Sequence, residues 1–477
     1  MRKLLISTWN SPTLTTWLSL ISKGVNLSLV LPLVLTKIPN EEAVLWLAIT
    51  TVMNLKNLLD MGISITFTRA IGYALGGARE LHPHKLLSNP NSGDYKPNFS
   101  LLRDILFAMK KIYLALAFVT LILSGIFGSI MMMKLIMLTE NKINSWICWI
   151  LVVFTLPIGA WGMQFVSFLQ GMNKIALYRR TEGFIIVFST IVTVVVLWLG
   201  PSLLKLVIIL QLTMVTNVIA NIILSRSYRS DIIEQAGIRK HQQKLFKVLW
   251  PAVWRSGLGI AITTALIQLS GLVYANISDT YLVATYMISL RLVTGLNEFA
   301  RAPFYSKIPL MSRLRAQGND CEVENQAIKG MQLSYWTLVI SSTIIGYCGD
   351  WIFNKLGFKQ DFPPSLLWWL LVVSFLFERF GAMHLQLYTT KNKIIWHKSN
   401  GGTCLLMVLT VSALFPYVGV YAFPCAFIAG YGIFYSVYNS YHSYKILKTS
   451  AVSLELKTSI PPLCFLATAI ITDIYLT

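Results

Sequence analysis

The chain is built from long apolar segments, each of about the length that crosses a lipid bilayer. A membrane-spanning helix needs roughly 20 consecutive apolar residues, and the 477-residue sequence contains about twelve such segments. The first six predicted spans are Thr13–Leu35, Ala43–Ile71, Tyr113–Met133, Trp146–Leu169, Gly183–Leu199 and Ser202–Leu224. The second six are Leu249–Tyr274, Thr280–Pro303, Gly330–Cys348, Ser365–Leu387, Cys404–Tyr417 and Val420–Tyr441.

The composition agrees with this pattern. Hydrophobic residues make up 55% of the chain and charged residues 13%, and the mean hydropathy is +0.62. Soluble domains carry about 25% charged residues. The predicted fold class is therefore an all-α, polytopic membrane protein. A further apolar stretch, Ile460–Tyr475, opens with Pro461-Pro462. It is short enough to be a thirteenth span, an interfacial helix or a disordered end. We favour the two interpretations in which the stretch does not cross the membrane.

The net charge of +20 reflects membrane topology rather than nucleic-acid binding. Basic residues concentrate in alternate loops, such as Lys174–Arg180 and Arg226–Lys247, whereas the intervening loops are poor in Lys and Arg. This positive-inside pattern predicts a multi-pass protein of the inner membrane, with its N-terminus in the cytoplasm. No nucleic acid is expected as a partner.

Enzyme and metal motifs are missing from the sequence. The six cysteines form no CxxC pair, and there is no nucleophile elbow, Walker A motif or metalloprotease motif. We therefore expect no catalytic residue, no metal site and no cofactor. No soluble segment is large enough for a nucleotide-binding domain.

The chain reads as two similar halves. Span two and span eight are flanked by similar polar residues at an offset of about 237 positions, as parallel six-helix repeats would be. The predicted organisation is an N-terminal six-helix lobe (1–225), a cytoplasmic linker (226–247), a C-terminal six-helix lobe (248–445) and a C-terminal tail (446–477) in which a short extra helix is one option.

Among the charged residues inside the predicted spans, six are candidates for a polar interior: Lys23, Lys56, Asp60, Arg255, Arg291 and Glu298. A charge near the middle of a bilayer costs about 2.5–3.5 kcal/mol on insertion scales, so it usually faces protein or a watery cavity. In span one, Thr15, Ser19, Ser22, Lys23 and Asn26 form a polar stripe at helical spacing. These charges, mostly cationic, predict a polar chamber that receives an anion.

Ordinary structural roles remain open for several of these charges. Lys56 and Asp60 are four residues apart and would neutralise each other on one helix, as would Glu298 and Arg301. Arg255 lies about two turns into its span, from where it could extend to the headgroups. Lys23 has no acid nearby on its own helix, so a purely structural role is less expected for it.

Three segments resemble a known family. The run Asn57-Leu58-Leu59-Asp60-Met61-Gly62-Ile63-Ser64, continuing through Thr68-Arg69-Ala70 to Gly76-Gly77, resembles the second span of O-antigen flippases. Those belong to the polysaccharide-transporter branch of the multidrug/oligosaccharidyl-lipid/polysaccharide exporter superfamily. Leu169–Lys174, together with Arg179, Arg180 and Glu182, resembles the cytoplasmic turn after their fourth span, and Arg301–Pro309 resembles the exit of their eighth.

The resemblance implies a fold and a substrate. The fold would be two six-helix lobes around a central cationic cavity that opens alternately to each side. The substrate would be an oligosaccharide on a polyprenyl pyrophosphate, moved from the cytoplasmic to the periplasmic leaflet. Membrane lipids and the O-antigen polymerase machinery would be the partners.

A pyrophosphate crossing the bilayer needs cations at mid-depth to replace its water. We therefore predict that Lys23, Lys56 and Arg291 bind the substrate and that Arg255 is a further cavity cation. Asp60 and Glu298 are the candidates for coupling to a proton or sodium gradient.

Two other functions stay open. A drug exporter of the same superfamily would favour acids in the cavity, whereas these charges are mostly cationic. A membrane-embedded O-antigen polymerase, ligase or glycosyltransferase would need a large periplasmic loop, and the largest one predicted here is about Gly349–Pro364.

Overall fold

The computed structural model describes residues 10–60, 62–81, 96–236, 280–356, 362–447 and 450–476, together with positions 255, 257, 267 and 270. Almost all of these residues are helical, which confirms the predicted all-α class. The described helices fall into two compact units. Span seven, Leu249–Tyr274, lies almost entirely outside the described residues.

The first unit runs from the N-terminus to the sixth predicted span. Its described helices are α1 (Pro12–Lys37), α2 (Asn40–Leu59), α3 (Ile63–Leu75), α4 (Phe99–Ile122), α5 (Ser129–Leu138), α6 (Lys142–Gly171), α7 (Ile175–Leu199) and α8 (Leu203–Ala236). Helix α8 continues well past the predicted end of span six, so the first part of the predicted linker is helical.

The second unit contains the remaining described helices. They are α9 (Thr280–Tyr305), α10 (Ile308–Ala316), α11 (Asp320–Leu356), α12 (Ser365–Thr389), α13 (Trp396–Val418), α14 (Ala422–Ile428), α15 (Val437–Tyr444), α16 (Ala451–Lys457) and α17 (Ile460–Leu476). A π-helical segment, Ala429–Ser436, joins α14 to α15. Helix α13 ends at Val418 and is followed by Gly419, which has a positive φ of 56°. The chain then returns along the helix, with Gly430 against Met407.

Many of these helices carry the marks of membrane segments. Among the described residues, seven helical stretches are long and apolar enough to cross a bilayer. The bent pair α16–α17 is an eighth if its two helices are counted as one span. Large apolar side chains stay exposed on them, including Phe118 at 64%, Phe188 at 70% and Ile433 at 69%. Apolar side chains exposed along long helices are expected where lipid, and not water, is the solvent.

Span two was predicted as one helix, Ala43–Ile71, and that prediction is wrong. Helix α2 ends at Leu59, and α3 begins at Ile63. Between them Gly62 adopts a left-handed conformation, with φ 71° and ψ 8°, which glycine adopts without the steric cost that other residues pay. The main-chain oxygen of Asp60 accepts a 2.7 Å hydrogen bond from the Ile63 amide.

The third span starts earlier than predicted and contains a change of helix type. Helix α4 begins at Phe99, not Tyr113, and a π-helical segment, Leu123–Gly128, joins it to α5. The Trp149 indole of α6 donates a 2.8 Å hydrogen bond to the Ser129 hydroxyl directly after this segment. The same ring packs on Gly128, where a Cβ atom would lie 2.7 Å from it.

The C-terminal tail forms two helices that pack on the second unit. Helices α16 and α17 meet at an angle of 51°. The Trp369 indole donates a 2.7 Å hydrogen bond to Oδ2 of Asp473, and the Tyr347 hydroxyl donates one of 2.7 Å to the Ala469 carbonyl. Of the options considered for Ile460–Tyr475, the unfolded end is therefore wrong, because the segment is helical and packed.

Candidate functional site

A charged cluster lies between α1 and α7 in the first unit. The Lys23 ammonium lies 2.8 Å from Oε1 of Glu182, and Nη1 of Arg179 lies 2.8 Å from Oε2 of the same carboxylate. The Ser19 hydroxyl donates a 2.7 Å hydrogen bond to that second oxygen. Glu182 therefore has three partners, of which two are cations.

The polar stripe predicted on span one produces this arrangement. Residues 19, 23 and 26 follow one face of α1 at helical spacing, and that face packs against α7. The Asn26 amide donates a 2.7 Å hydrogen bond to the Thr190 hydroxyl. Gly183 lies beside Ser19 and Ser22, where an added Cβ would only just make van der Waals contact. The two helices thus approach closely along their polar faces.

Lys23 also lines a cavity of about 220 Å³ within the first unit. The polar lining consists of Lys23, Asn26, Ser189, Thr193 and Thr213. Apolar side chains complete it: Val30, Trp46, Ile186, Leu206 and Leu210. The Lys23 side chain is 46% exposed, whereas that of Glu182 is 21% exposed. The ammonium is therefore the charged group that this wall offers to a ligand.

The charges of the cluster do not cancel. Lys23 and Arg179 carry two positive charges against the one negative charge of Glu182. If Lys23 moved to a ligand, Glu182 would keep its contacts with Arg179 and Ser19. The carboxylate would then stay paired, which avoids the cost of an unpaired charge in a low-dielectric region. Glu182 is therefore held by Arg179 and Ser19 independently of its contact with Lys23.

Asp60 lies where span two is broken, in a small polar core. The Tyr113 hydroxyl donates a 3.1 Å hydrogen bond to its Oδ1, and the Ser64 amide donates one of 3.4 Å to its Oδ2. The Ser167 hydroxyl lies 2.7 Å from the Ser64 hydroxyl and 3.0 Å from the Tyr113 hydroxyl. Asp60 is thus buried, with hydroxyl and amide donors around it.

The structure does not describe the Lys56 side chain, although its backbone belongs to α2. The predicted pairing of Lys56 with Asp60 therefore stays a prediction. The same holds for its role in binding substrate.

Arg291, Glu298 and Arg301 lie along one helix of the second unit. Arg291 and Glu298 are exposed on α9, whereas Val293 and Ala300 on its other side are buried. Nη1 of Arg301 lies 2.7 Å from Oε1 of Glu298. The two residues therefore form the ion pair that their spacing on one helix allows. The structure does not test a role for Arg291 in binding substrate.

Arg255 is half-buried and interacts electrostatically with His397, at the start of α13. Both residues belong to the second unit. Whether Arg255 faces substrate stays a prediction.

The sequence reasoning missed a buried charged group in the second unit. Arg379 on α12 is 1% exposed, and its Nη2 donates hydrogen bonds of 2.7 Å to Oδ1 of Asn297 and 3.2 Å to Oε2 of the adjacent Glu378. The Asn297 amide also donates a 2.8 Å hydrogen bond to that carboxylate oxygen. The signal was present, because an adjacent acid and base interrupt the middle of predicted span ten.

In the described part of the chain, no group of three or more His, Cys, Asp or Glu side chains is placed to hold a metal ion. Each of the six cysteines is a free thiol. The polar clusters are therefore built from ion pairs, hydroxyls and amides.

No protein-family model and no curated protein matches the sequence. The fold nevertheless matches solved structures over nearly the whole chain. An outward-facing multidrug resistance MATE family transporter of the MOP superfamily superposes with a TM-score of 0.68 at 11% identity, covering 94% of this chain and 98% of that one.

Two further structures give similar values. A MOP superfamily transporter from Pyrococcus furiosus, whose binding pocket has a reverse polarity that suggests a different function, has a TM-score of 0.67 at 10% identity and covers 93% of this chain and 99% of its own. The Vibrio cholerae MATE transporter VcmN in its bent form has a TM-score of 0.61 at 11% identity, with coverages of 96% and 99%. The chain therefore has a MATE-like transporter fold with two lobes and is a multi-pass membrane protein.

Proposed function

We propose that this protein is an alternating-access transporter of the inner membrane that moves an anionic, lipid-linked oligosaccharide from the cytoplasmic to the periplasmic leaflet. The substrate class is an oligosaccharide on polyprenyl pyrophosphate, such as an O-antigen repeat unit. The proposal rests first on Lys23, a half-exposed cation in the wall of the cavity of the first unit.

The size of the cavity limits what it can hold. Pockets for whole drug-sized ligands usually measure about 300–1,000 Å³, and this one measures about 220 Å³. It would take the charged headgroup or one sugar, while the polyprenyl chain stays in lipid. Ser189, Thr193 and Thr213 also line the cavity. The hydroxyls of Thr193 and Thr213 donate to main-chain carbonyls of their own helices, so they offer lone pairs to sugar hydroxyls and leave the phosphate to Lys23.

Lys23 would act by exchanging partners. In the structure its ammonium contacts Glu182, and in the loaded state it would contact a phosphate oxygen instead. Hydrogen bonds between charged groups are roughly twice as strong as neutral ones. Arg179 and Ser19 would hold Glu182 throughout, so the transfer leaves no buried charge without a partner.

A drug exporter is the second candidate, because two of the matching structures are multidrug resistance or MATE transporters. An exporter of organic cations needs acids that face its ligand. Here Glu182 is held by two cations, and Lys23 is the charge that lines the cavity. The Pyrococcus furiosus protein is a precedent on this fold for a pocket of reversed polarity.

The test is a genetic replacement followed by a flipping assay. Deletion of the gene should cause lipid-linked repeat units to accumulate on the cytoplasmic side, and the wild-type gene should reverse this. Lys23→Ala should fail to do so at normal membrane abundance, whereas Lys23→Arg should retain part of the activity.

Lys37→Ala is the matched control, because Lys37 lies on the same helix and its ammonium packs 4.9 Å from the Trp198 ring, outside the cavity lining. Normal export by Lys23→Ala would refute the role of the cavity cation. Export of an organic cation, with no change in lipid-linked sugars, would favour the drug exporter.

A further inference from the structure

The C-terminal helices contact α11 at two points that lie far apart along it. The Gln332 amide, near the start of predicted span nine, donates a 2.7 Å hydrogen bond to the Lys457 carbonyl at the end of α16. The Tyr347 hydroxyl, near the end of that span, donates one of 2.7 Å to the Ala469 carbonyl of α17. Positions 332 and 347 are separated by about 22 Å along an α-helix. Because both contacts advance in the same direction, α17 runs parallel to α11.

Helix α12 gives the same measure from another side. It is one of the helices that are long and apolar enough to cross a bilayer. Near its start, the Trp369 indole donates a 2.7 Å hydrogen bond to Oδ2 of Asp473, in the last turn of α17. Near its end, Nε2 of His384 lies 3.2 Å from Oε1 of Glu455, on α16. Positions 369 and 384 are again about 22 Å apart along the helix, so the tail follows most of the length of α12.

Helix α17 has the length and composition of a short membrane span. Its 17 residues, Ile460–Leu476, extend over about 25 Å, and a span needs roughly 17–25 residues. Asp473 is its one charged residue in the sequence, and the Trp369 indole binds it. Pro461 and Pro462 stand in the first turn, where proline costs the helix no hydrogen bond. The prolines therefore mark the start of this helix and do not interrupt it.

The outer face of α17 is as apolar as the face that packs. Leu466 and Ala469 are buried against the second unit, whereas Leu463 is 39% and Ile471 is 53% exposed. The Thr468 hydroxyl donates a 2.8 Å hydrogen bond to the carbonyl three residues earlier, so it is satisfied within the helix. A helix that is apolar all round, with its polar groups bonded internally, is suited to lipid.

We propose that α17 is a membrane-spanning helix, additional to the twelve predicted from the sequence, and that its exposed face contacts lipid acyl chains. A helix lying along one membrane surface would not reach both the start and the end of α12. In the topology that the basic loops predict, α16 lies on the cytoplasmic side and Tyr475 on the periplasmic side. This reverses the interpretation favoured from the sequence, and it does not depend on the proposed substrate.

The first experiment adds a reporter after Thr477, so that the whole chain is retained. Alkaline phosphatase, which is active only in the periplasm, should be active at this position. Green fluorescent protein, which fluoresces in the cytoplasm, should stay dark there. Insertions of the same reporters at Asn144 and Lys393 provide the periplasmic and cytoplasmic references. A fluorescent fusion after Thr477 with inactive phosphatase would overturn the proposal, because both ends of α17 would then lie on the cytoplasmic side.

The second experiment needs no reporter and compares two exposed positions. Val452, on α16, is 69% exposed, and Tyr475, on α17, is 86% exposed. Val452→Cys and Tyr475→Cys are labelled with a membrane-impermeant maleimide in spheroplasts and in inverted vesicles. Labelling is counted above that of the wild-type chain, whose six cysteines are free thiols.

The two variants should be labelled from opposite sides. Tyr475→Cys should react in spheroplasts and Val452→Cys in inverted vesicles. Labelling of both from the same side would overturn the proposal. The reverse pair of results would keep α17 as a span and contradict only the predicted orientation. Loss of transport without a change in labelling concerns the proposed function alone, so the two proposals can fail separately.

Discussion

The Lys23 ammonium and the Glu182 carboxylate lie 2.8 Å apart, although 159 residues separate them in the chain. This contact gives the charge of span one an internal partner and still leaves the ammonium accessible from the cavity. A half-exposed pair of this kind contributes about 0–1 kcal/mol to stability. The contact therefore adds little to the stability of the fold.

Exchanging the two charges tests this contact. Lys23→Glu alone places a second carboxylate beside Glu182 and should lower membrane abundance and transport together. Combined with Glu182→Lys, it should restore abundance in part, because an ion pair forms again between the two positions while Arg179 loses its carboxylate partner. Transport should stay reduced about 10-fold or more, since a lost charged hydrogen bond to substrate is worth roughly 1.5–3 kcal/mol. Quantitative blotting and a vesicle flipping assay measure the two quantities. Full transport by the double variant would show that the position of the cation is unimportant.

Arg379 should be a stability residue of the second unit. Arg379→Ala leaves the Glu378 carboxylate and the Asn297 amide without their buried partner and should destabilise the fold by about 3–5 kcal/mol. Arg379→Met combined with Glu378→Gln removes both charges and should cost less. Thermal unfolding in detergent gives the comparison. If the double variant is less stable than Arg379→Ala, the penalty does not come from an unpaired charge.

Gly171 should be intolerant of any side chain. It ends α6 against α3, where a Cβ atom would lie 2.6 Å from Cβ of Ile71. Gly171→Ala should therefore destabilise by about 1–3 kcal/mol through overpacking. Adding Ile71→Ala should not recover this loss, because alanine keeps the Cβ that causes the clash and the buried Ile71 side chain loses its packing. Gly24→Ala is a control, because no atom lies within 4 Å of its added Cβ.

The two acids proposed for coupling should differ in effect. Asp60→Asn and Glu298→Gln keep the shape of each side chain and remove its charge. Moving one proton across 100 mV is worth about 2.3 kcal/mol, which is enough to bias an otherwise balanced exchange between leaflets. Asp60 is buried beside Tyr113, so its variant should lose the response of flipping to a proton or sodium gradient. Glu298 is exposed beside Arg301, so its variant should show the smaller loss. If both variants respond to the gradient as wild type does, neither acid couples transport to an ion, and each acid only neutralises a nearby cation.

Membrane topology is the last prediction. Reporter fusions at Ser227 and Lys393 should give cytoplasmic signals, and fusions at Asn40 and Asn144 periplasmic ones, because basic loops stay inside. The most informative fusion is at Lys240, in the predicted linker. A periplasmic signal there would contradict the arrangement of two parallel halves.

The polar stripe of span one illustrates how far the sequence could be read. Helical spacing alone placed Ser19, Lys23 and Asn26 on one face, and all three contact α7 as a set. The identity of their partner could not be derived, because the packing of α1 against α7 depends on the whole first unit. In the sequence, Glu182 also follows Arg179 and Arg180 closely. It was therefore interpreted as part of a cytoplasmic turn and not as a residue of the span.

Span two shows the opposite case. Its hydropathy is continuous, and hydropathy does not record backbone angles. The left-handed Gly62 that breaks the helix is therefore invisible to a count of apolar residues. Similarly, Glu455 lies after the twelfth predicted span, and nothing in the local sequence indicates that its Oε1 lies 3.2 Å from Nε2 of His384 in span ten.

The π-helical segment Leu123–Gly128 has a consequence for the length of the chain itself. It accommodates about one residue more than an α-helix of the same rise would hold. Each residue of an α-helix turns its successor by about 100°. Removing one residue from the segment would therefore regularise the helix and leave α5 in place, whereas removing one residue from the regular part of α4 would rotate α5 against α4 by about that angle. In the second case Ser129 would leave the Trp149 indole, and the buried Met132 and Ile136 would turn towards lipid. The chain should thus tolerate a one-residue deletion within the π-helical segment better than the same deletion one turn earlier.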